Sequence, residues 1–430
     1  MLRNLTLICT IALAFSANVF AQDYSGLTIE GRYLYDACGE KIILRGVSNP
    51  NIWFEKEGKP RMAEIAKTGA NVVRIVWQIN GSSQQLDAAI TSCLQQDMIP
   101  MVELHDATGD WSKLQSCVDY WVRADVVAVL QKHEKFLLVN IANEVGDYNI
   151  SSSLFFSGYS SAVSQMRDAG IHVPLVIDGS DWGKNVNILQ SQGPKLIDAD
   201  PDHRLIFSVH MWWPKMYNYT EQNIVDEIAE SAELGLPMIV GEFSQMHGAC
   251  DETVITANNS INYKTIIREC QKTETGYIAW SWFGNCNANW DMSTKGTFAT
   301  LYDWGLEVAV TDENSIQNTS VRPYSLVNGE CDANTNGVSQ LSNTGFELSQ
   351  NFPNPANNST TIEYTLQKDS KVELTVYDIT GKILNTLVND VQNAGKYSST
   401  LNTSQFENGL YLYQLKVDHL SLTKKMIVLK

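Results

Sequence analysis

Eight short apolar runs recur roughly every thirty to forty residues along the first three quarters of this 430-residue chain, and they constrain its fold more than any other feature. They occupy residues 42–46, 71–77, 99–105, 136–143, 174–178, 205–210, 237–242 and 277–282. Amphipathic stretches at 61–68, 86–96, 118–130, 159–169 and 224–234 separate them, and Gly69, Gly170 and Gly235 supply helix-stopping positions. Strands covered on both faces read as continuous apolar runs. Eight strand-then-helix units over about 290 residues predict an α/β fold, a (β/α)8 TIM barrel, in preference to an open doubly wound sheet. A mononucleotide fold would need a glycine-rich phosphate turn after a strand, and every such turn is missing. No cofactor is expected.

In a closed barrel all strand ends converge on one face. Here the ends of the runs carry Arg74, Trp77, His105, Asn143, Glu144, Asp178, His210, Glu242, Trp280 and Trp282, so a site is expected there. Two of these residues stand out. The run Phe136-Leu137-Leu138-Val139-Asn140-Ile141-Ala142-Asn143-Glu144 closes on an amide and a carboxylate, and Pro237-Met238-Ile239-Val240-Gly241-Glu242 closes on a second carboxylate. Two buried strands ending in Glu can set two carboxyl groups across one pocket, the equipment of glycoside hydrolysis. A retaining mechanism needs them about 5 to 5.5 Å apart. Glu144, beside the sugar-binding amide of Asn143, suits the acid/base role and Glu242 the nucleophile.

Neighbouring strand ends supply the support. Arg74 is expected to hold Glu242 ionised, and His105 and His210 to act as neutral hydrogen-bonding groups. Trp280 can stack on a pyranose face, while Trp282 fills the barrel layer. Trp53, Trp77, Trp111, Trp182, Trp212, Trp213 and Trp290 fall in or near top-face loops, to be divided between a sugar groove and packing. Asp106 and Asp110 lack the spacing of a calcium loop and are read as turn formers.

Residues 1–21 read as an export signal: Arg3 precedes an apolar run, and Val19-Phe20-Ala21 presents small residues to a signal peptidase. No later run is long enough for a membrane span. Residues 22–326 then form the barrel domain, 327–344 a linker rich in Asn, Ser, Thr and Gly, and 345–430 a small β-sandwich with alternating runs at 361–366, 371–377, 396–401, 410–417 and 424–429. All eleven tryptophans precede that last domain, which favours attachment or export over sugar binding. The chain is acidic, with a formal net charge of −17 and no basic face evident to neutralise phosphates, so nucleic acid is not an expected partner. Cys9 leaves with the signal, and the seven remaining cysteines leave at least one free thiol whatever the pairing. Neither C-x-x-C nor H-E-x-x-H occurs, so no metal is expected.

Residues from about Gly26 to Arg322 resemble glycoside hydrolase family 5, and most closely its bacterial endo-β-1,4-mannanases of subfamily 8. The matching segments are Leu44-Arg45-Gly46-Val47, Thr68-Gly69-Ala70-Asn71-Val72-Val73-Arg74, Val102-Glu103-Leu104-His105-Asp106-Ala107-Thr108-Gly109, Val139-Asn140-Ile141-Ala142-Asn143-Glu144, Phe207-Ser208-Val209-His210-Met211, Ile239-Val240-Gly241-Glu242-Phe243 and Ala279-Trp280-Ser281-Trp282. The resemblance implies Glu144 as acid/base and Glu242 as nucleophile, with Arg74, His105, Asn143, His210 and Trp280 around the sugar. It also exposes a departure: the family commonly has tyrosine two residues after the sixth-strand histidine, its hydroxyl meeting the nucleophile, where this chain has Trp212. An indole N–H can donate in its place.

Residues from about Gly345 resemble the C-terminal sorting domain of type IX secretion, through Asn351-Phe352-Pro353-Asn354-Pro355, Val376-Tyr377-Asp378-Ile379-Thr380-Gly381-Lys382, Gly409-Leu410-Tyr411 and a basic, apolar tail beginning at Lys424. The combination implies a secreted or cell-surface enzyme, a monomer, with a mannan-type polysaccharide and the type IX machinery as partners. An endo-β-1,4-glucanase and a non-catalytic polysaccharide-binding barrel are the alternatives.

Overall fold

The computed structural model describes residues 26–331, 346–366, 368–378, 382–417 and 420–430. The expected signal, residues 1–21, lies outside the described residues, as do residues 332–344 of the expected linker. Eight parallel strands close into a barrel: β1 (Arg45–Asn49), β2 (Val72–Trp77), β3 (Ile99–Leu104), β4 (Leu138–Asn140), β5 (Leu175–Asp178), β6 (Leu205–His210), β7 (Met238–Glu242) and β8 (Gly276–Ala279). β8 pairs in parallel with β1 and completes the ring. Every residue of these strands is buried, which is why they read as unbroken apolar runs.

Helices return the chain on the outside. Ser82, Ser151, Asn185, Thr220 and Asn262 each accept a hydrogen bond from a backbone N–H of the following helix, a cap stabilising a helix start by about 1 kcal/mol. Gly69, Gly170 and Gly235 take the left-handed conformation after helices, at φ of 82°, 83° and 68°. The stretch 118–130, expected as one helix, is two, Leu114–Trp121 and Ala124–Lys132, because Arg123 between them is extended.

The first strand begins three residues later than expected. Lys41–Ile42 pairs instead with Tyr33–Tyr35, which pairs with Thr28–Glu30, in a small antiparallel sheet. Leu27, Leu34, Ile42 and Leu44 bury there against Val72, Ile99, Leu138, Ile206, Ile239 and Ile278. That cluster seals the N-terminal end of the barrel and leaves the opposite end for chemistry. Residues 327–331, expected to open the linker, belong structurally to the barrel region: a helix covers Tyr324–Asn328, and Cys331 is disulfide-bonded to Cys38. A second disulfide joins Cys250 to Cys286, and Cys93, Cys117 and Cys270 are buried thiols. No helix among the described residues is long and apolar enough to cross a membrane.

The C-terminal region forms two antiparallel sheets, one containing Phe346–Leu348, Ser359–Leu366 and Gly395–Asn402, the other Ser370–Tyr377, Ile383–Gln392, Gly409–Val417 and Leu420–Val428. Ile362, Tyr364, Val372, Leu374, Leu401, Tyr413 and Leu415 share their core. The strand Ile383–Gln392 was not expected from the pattern. It lies at a sheet edge with most of its residues exposed, so no buried face imposes alternation on it.

Candidate active site

Arg74 lies inside the barrel at the third position of β2, below the strand end where the sequence placed it. Its buried guanidinium donates from Nη1 to Glu242 Oε1 at 2.6 Å, and from Nη2 to Asn140 Oδ1 at 3.0 Å and Asn143 Oδ1 at 2.6 Å. Glu103 and Asp178 stand 3.8 and 3.7 Å away. Burial acts against the charge, but the carboxylates of Glu103, Glu242 and Asp178 outweigh it and hold the guanidinium more firmly protonated than usual. One cation on β2 thereby locks groups from β3, β4, β5 and β7.

Beyond β4 the chain turns abruptly. Glu144 has φ of 48°, a left-handed conformation costing about 1–3 kcal/mol outside glycine, and it is over-determined by its neighbours. Its N–H donates to Asp178 Oδ2 at 3.0 Å, and its carbonyl accepts from the Gly109 N–H at 2.8 Å. The turn brings the side chain to His210, whose Nδ1 is 2.8 Å from Glu144 Oε1 and 3.5 Å from Glu242 Oε2. One oxygen from each glutamate and a ring nitrogen of His210 all lie within 4.8 Å of one another.

His210 was expected to be neutral, and the structure corrects this. Burial favours the neutral ring, yet Glu242 and Asp178 overcome it and push the imidazole up to about 10. His105 follows the same logic: burial lowers it, and Glu103, whose Oε1 is 3.0 Å from Nδ1, raises it further. Burial would raise Asp178, but the charges of His210 and Arg74 bring it down to about 2. Burial raises the Glu242 carboxyl; His210 and Arg74 pull against this and Glu144 reinforces it, leaving Glu242 above the ordinary carboxylate range. Two cations, Arg74 and His210, thus meet a cluster of four buried carboxyls, with His105 shifted in the same direction.

Trp212 donates from Nε1 to Glu242 Oε2 at 3.1 Å, so the two oxygens of Glu242 are held by different donors. His105 stacks on Trp280 at 5.2 Å between centroids and receives the edge of Trp53 at 5.3 Å. Trp280 is anchored through Nε1 to Asn285 Oδ1 at 3.0 Å. His105, Trp212 and Trp280 face a cleft of about 740 Å³ that also exposes Glu144, Glu242, Thr108, Trp182 and Trp290. Trp77 and Trp282 are buried and bonded to Tyr120 and Gly296, and Trp213 is buried in the barrel core, so these three are packing residues. Asp110 accepts the backbone N–H of Ser112 two residues on, as a turn former does, whereas Asp106 accepts that of Ile79 and so ties two loops together.

The eight residues singled out from the sequence (Arg74, His105, Asn143, Glu144, His210, Trp212, Glu242 and Trp280) therefore converge on one cleft or its floor. Sequence reasoning missed Glu103 and Asn140 because each sits inside an otherwise apolar run, and did not give Asp178 a role. The signal was available: a carboxylate or amide in a strand with every residue buried demands a polar partner. Lys184, Tyr217, Tyr219 and His247 also line the cleft and carried no sequence signal. Glu144, His210 and Glu242 are spaced to hold a cation, but Glu242 is already occupied by the Arg74 charge and the Trp212 N–H.

The comparisons with known proteins agree with this geometry. Residues 35–286 match the cellulase family, glycosyl hydrolase family 5, and residues 350–429 match the secretion system C-terminal sorting domain. A mannan endo-1,4-beta-mannosidase of Salipaludibacillus agaradhaerens is 30% identical over 308 residues, covering 69% of this chain and 94% of that one. A mannan endo-1,4-beta-mannosidase of Cellvibrio japonicus is 30% identical over 310 residues, covering 69% and 68%. The mannohexaose complex of Thermomonospora fusca beta-mannanase superimposes with a TM-score of 0.61 at 29% identity, covering 69% of this chain and 98% of that one. With a closed parallel barrel, paired carboxylates at the ends of β4 and β7 and a family match across more than half its length, the chain belongs to glycosyl hydrolase family 5 and is a glycoside hydrolase bearing a C-terminal secretion sorting domain.

Proposed function

We propose that the protein is a secreted endo-β-1,4-mannanase that hydrolyses internal linkages of mannans with retention of configuration. The observation that carries the reading is the approach of Glu144 and Glu242 oxygens to within 4.8 Å, matching the short separation, about 5 to 5.5 Å, of a nucleophile and acid/base pair. The mannanase names of the relatives support the choice of sugar. Glu242 attacks the anomeric carbon while Glu144 protonates the departing oxygen. Arg74 and Trp212 hold the nucleophile's two oxygens in place. Once Glu242 is esterified, Glu144, having given its proton to the departing oxygen, takes one from the incoming water. Asn143 spends its oxygen on Arg74 and one amide hydrogen on Thr108, leaving the other for a sugar hydroxyl.

The sorting domain supports export through the type IX machinery after passage by the signal route, with release or surface attachment to follow. The cellulase description of the matched family makes an endo-β-1,4-glucanase the second reading. Reducing-sugar release from mannan, glucomannan and carboxymethyl cellulose separates the two. Glu144→Gln and Glu242→Gln are each expected to abolish release from mannan with the fold intact, and first-formed products of the wild type should be β-anomers. Full activity in either variant, or α-anomers first, overturns the mechanism.

A further inference from the structure

Glu103 brings a carboxyl into the barrel interior, where the reaction described so far gives it no part. It is the fifth residue of β3, and Ile99 and Met101 on the same face of that strand belong to the apolar seal at the closed end. Its side chain is fully buried, and Oε2 has no hydrogen-bond partner among the described residues. Leaving a buried acceptor unsatisfied costs about 1–3 kcal/mol, which a leucine or methionine here would avoid. Arg74 does not offset this: its Nη1 is 3.8 Å from Oε1, and its short bonds go to Glu242, Asn140 and Asn143. Among the described residues, the one hydrogen bond of the Glu103 carboxyl joins Oε1 to His105 Nδ1, at 3.0 Å.

That bond decides which way His105 faces. The imidazole lies flat against Trp280, at 5.2 Å between centroids and 17° between planes, and receives the edge of Trp53. These neighbours fix the plane of the ring but not its sense, because a half-turn about the Cβ–Cγ bond keeps the plane and exchanges each nitrogen with a carbon. Glu103 removes the ambiguity. A carboxylate accepts only from an N–H, so the proton sits on Nδ1, and Nε2 is left for the cleft that His105 lines with 18% of its side chain exposed. Burial opposes charge on the ring, as Arg74 does, whereas Glu103, Glu242 and the neighbouring Asp106 favour it. In either charge state Nδ1 keeps its proton, and Nε2 meets a sugar hydroxyl as acceptor or as donor. We propose that Glu103 is a positioning residue for glycoside cleavage, acting through His105 to turn Nε2, and not the Cε1–H edge, toward the sugar at the cleavage point.

The test is kcat/KM of the full-length enzyme on mannan. Glu103→Leu, which fills the space without an acceptor, is expected to lower it about tenfold, the worth of one hydrogen bond. Glu103→Gln, whose amide carbonyl accepts from Nδ1, should restore most of that loss although it brings no charge to Arg74. In a His105→Ala background the Glu103→Leu change should cost less than about twofold, since the partner through which it acts is gone. No loss in Glu103→Leu, an equal loss in both backgrounds, or Glu103→Gln as poor as Glu103→Leu makes the residue packing or a counter-charge of Arg74 and overturns the proposal. Imidazole nitrogen shifts of the wild type, with His105 assigned by comparison with His105→Ala, need neither substrate nor a folded Glu103 variant. Above the titration of the ring the proton should remain on Nδ1, and a proton found on Nε2 overturns the proposal. The role in cleavage rests on the site reading above: a wild type that releases no sugar from mannan defeats that reading, while the nitrogen shifts judge the link from Glu103 to His105 by themselves.

Discussion

Trp212 Nε1 meets Glu242 Oε2 at 3.1 Å while Arg74 Nη1 meets Oε1 of the same carboxylate at 2.6 Å. The two donors differ in kind. Arg74 supplies charge, whereas the indole supplies a neutral donor that neither ionises nor accepts. The Trp212 ring is flanked edge-on by His247 and Trp290, at 6.3 and 5.9 Å, which keep its N–H aimed. A tyrosine hydroxyl, expected here from the family resemblance, has thus been replaced by a group that makes the same bond from a larger and stiffer frame.

Trp212→Phe removes a donor that favours the ionised form of Glu242, so the nucleophile's pKa should rise further. The acid limb of kcat/KM then moves to higher pH, and activity at its optimum falls by about 10- to 100-fold, the worth of a hydrogen bond to a charged group. Trp212→Tyr should recover most of both. A pH–rate profile on mannan measures this, and an acid limb left in place would remove Trp212 from control of the nucleophile.

Arg74→Met leaves Glu103, Asp178 and Glu242 buried around a missing cation. Breaking a buried pair in this way costs about 3–5 kcal/mol, and the urea midpoint should fall accordingly. Arg74→Lys keeps the charge but cannot reach Glu242, Asn140 and Asn143 together, so it should preserve more stability than activity. Urea titrations beside mannan hydrolysis distinguish the two losses.

The pH dependence of stability follows from His210. Its folded value, about 10, exceeds its ordinary 6.5, so the imidazolium's contribution is complete below pH 6.5 and is lost as pH rises toward 10. Asp178 has the opposite sign: lowered from 3.8 to about 2, it contributes above pH 3.8 and fails as pH falls through 2. Unfolding free energy should therefore decline between pH 7 and 10, and His210→Gln should flatten that slope. Urea unfolding across this range, in both proteins, is the measurement.

The disulfides should separate stability from function. Cys38–Cys331 closes a span of 293 residues and Cys250–Cys286 one of 36, worth about 6 and about 4 kcal/mol if the chain-entropy argument holds. Only the second ties together two loops of the cleft wall, those carrying His247 and Trp290. Cys38→Ser should lower the melting temperature with little change in KM, whereas Cys286→Ser should raise KM for mannan. Equal KM values in the two variants would refute the distinction.

Much of the site was legible because burial makes exceptions visible. Glu144 and Glu242 end runs that are otherwise apolar, and such strands have reason to deliver polar groups only to a site. Glu103 and Asn140 obey the same rule, but they lie within their runs and were absorbed by the pattern. The error over the charge of His210 has a related source: Asp178 stood among the strand ends but was given no role beside it, so the ring read as a neutral hydrogen-bonding group. The shift of β1 has a different cause, since Ile42 is apolar whether it joins the barrel or the sheet beneath it. Pattern records burial and cannot say against what.

Periodicity and the two terminal glutamates, both properties of local sequence, were enough to determine a parallel barrel with chemistry at one end. Which groups hold the buried carboxylates, and how the wall of the cleft is fixed, depended on contacts between residues as far apart as Arg74 and Glu242 or Gly109 and Trp182. Those contacts exist only after eight strands close, because electrostatic coupling and steric fit act through space at a few ångströms and leave no trace in the order of the chain.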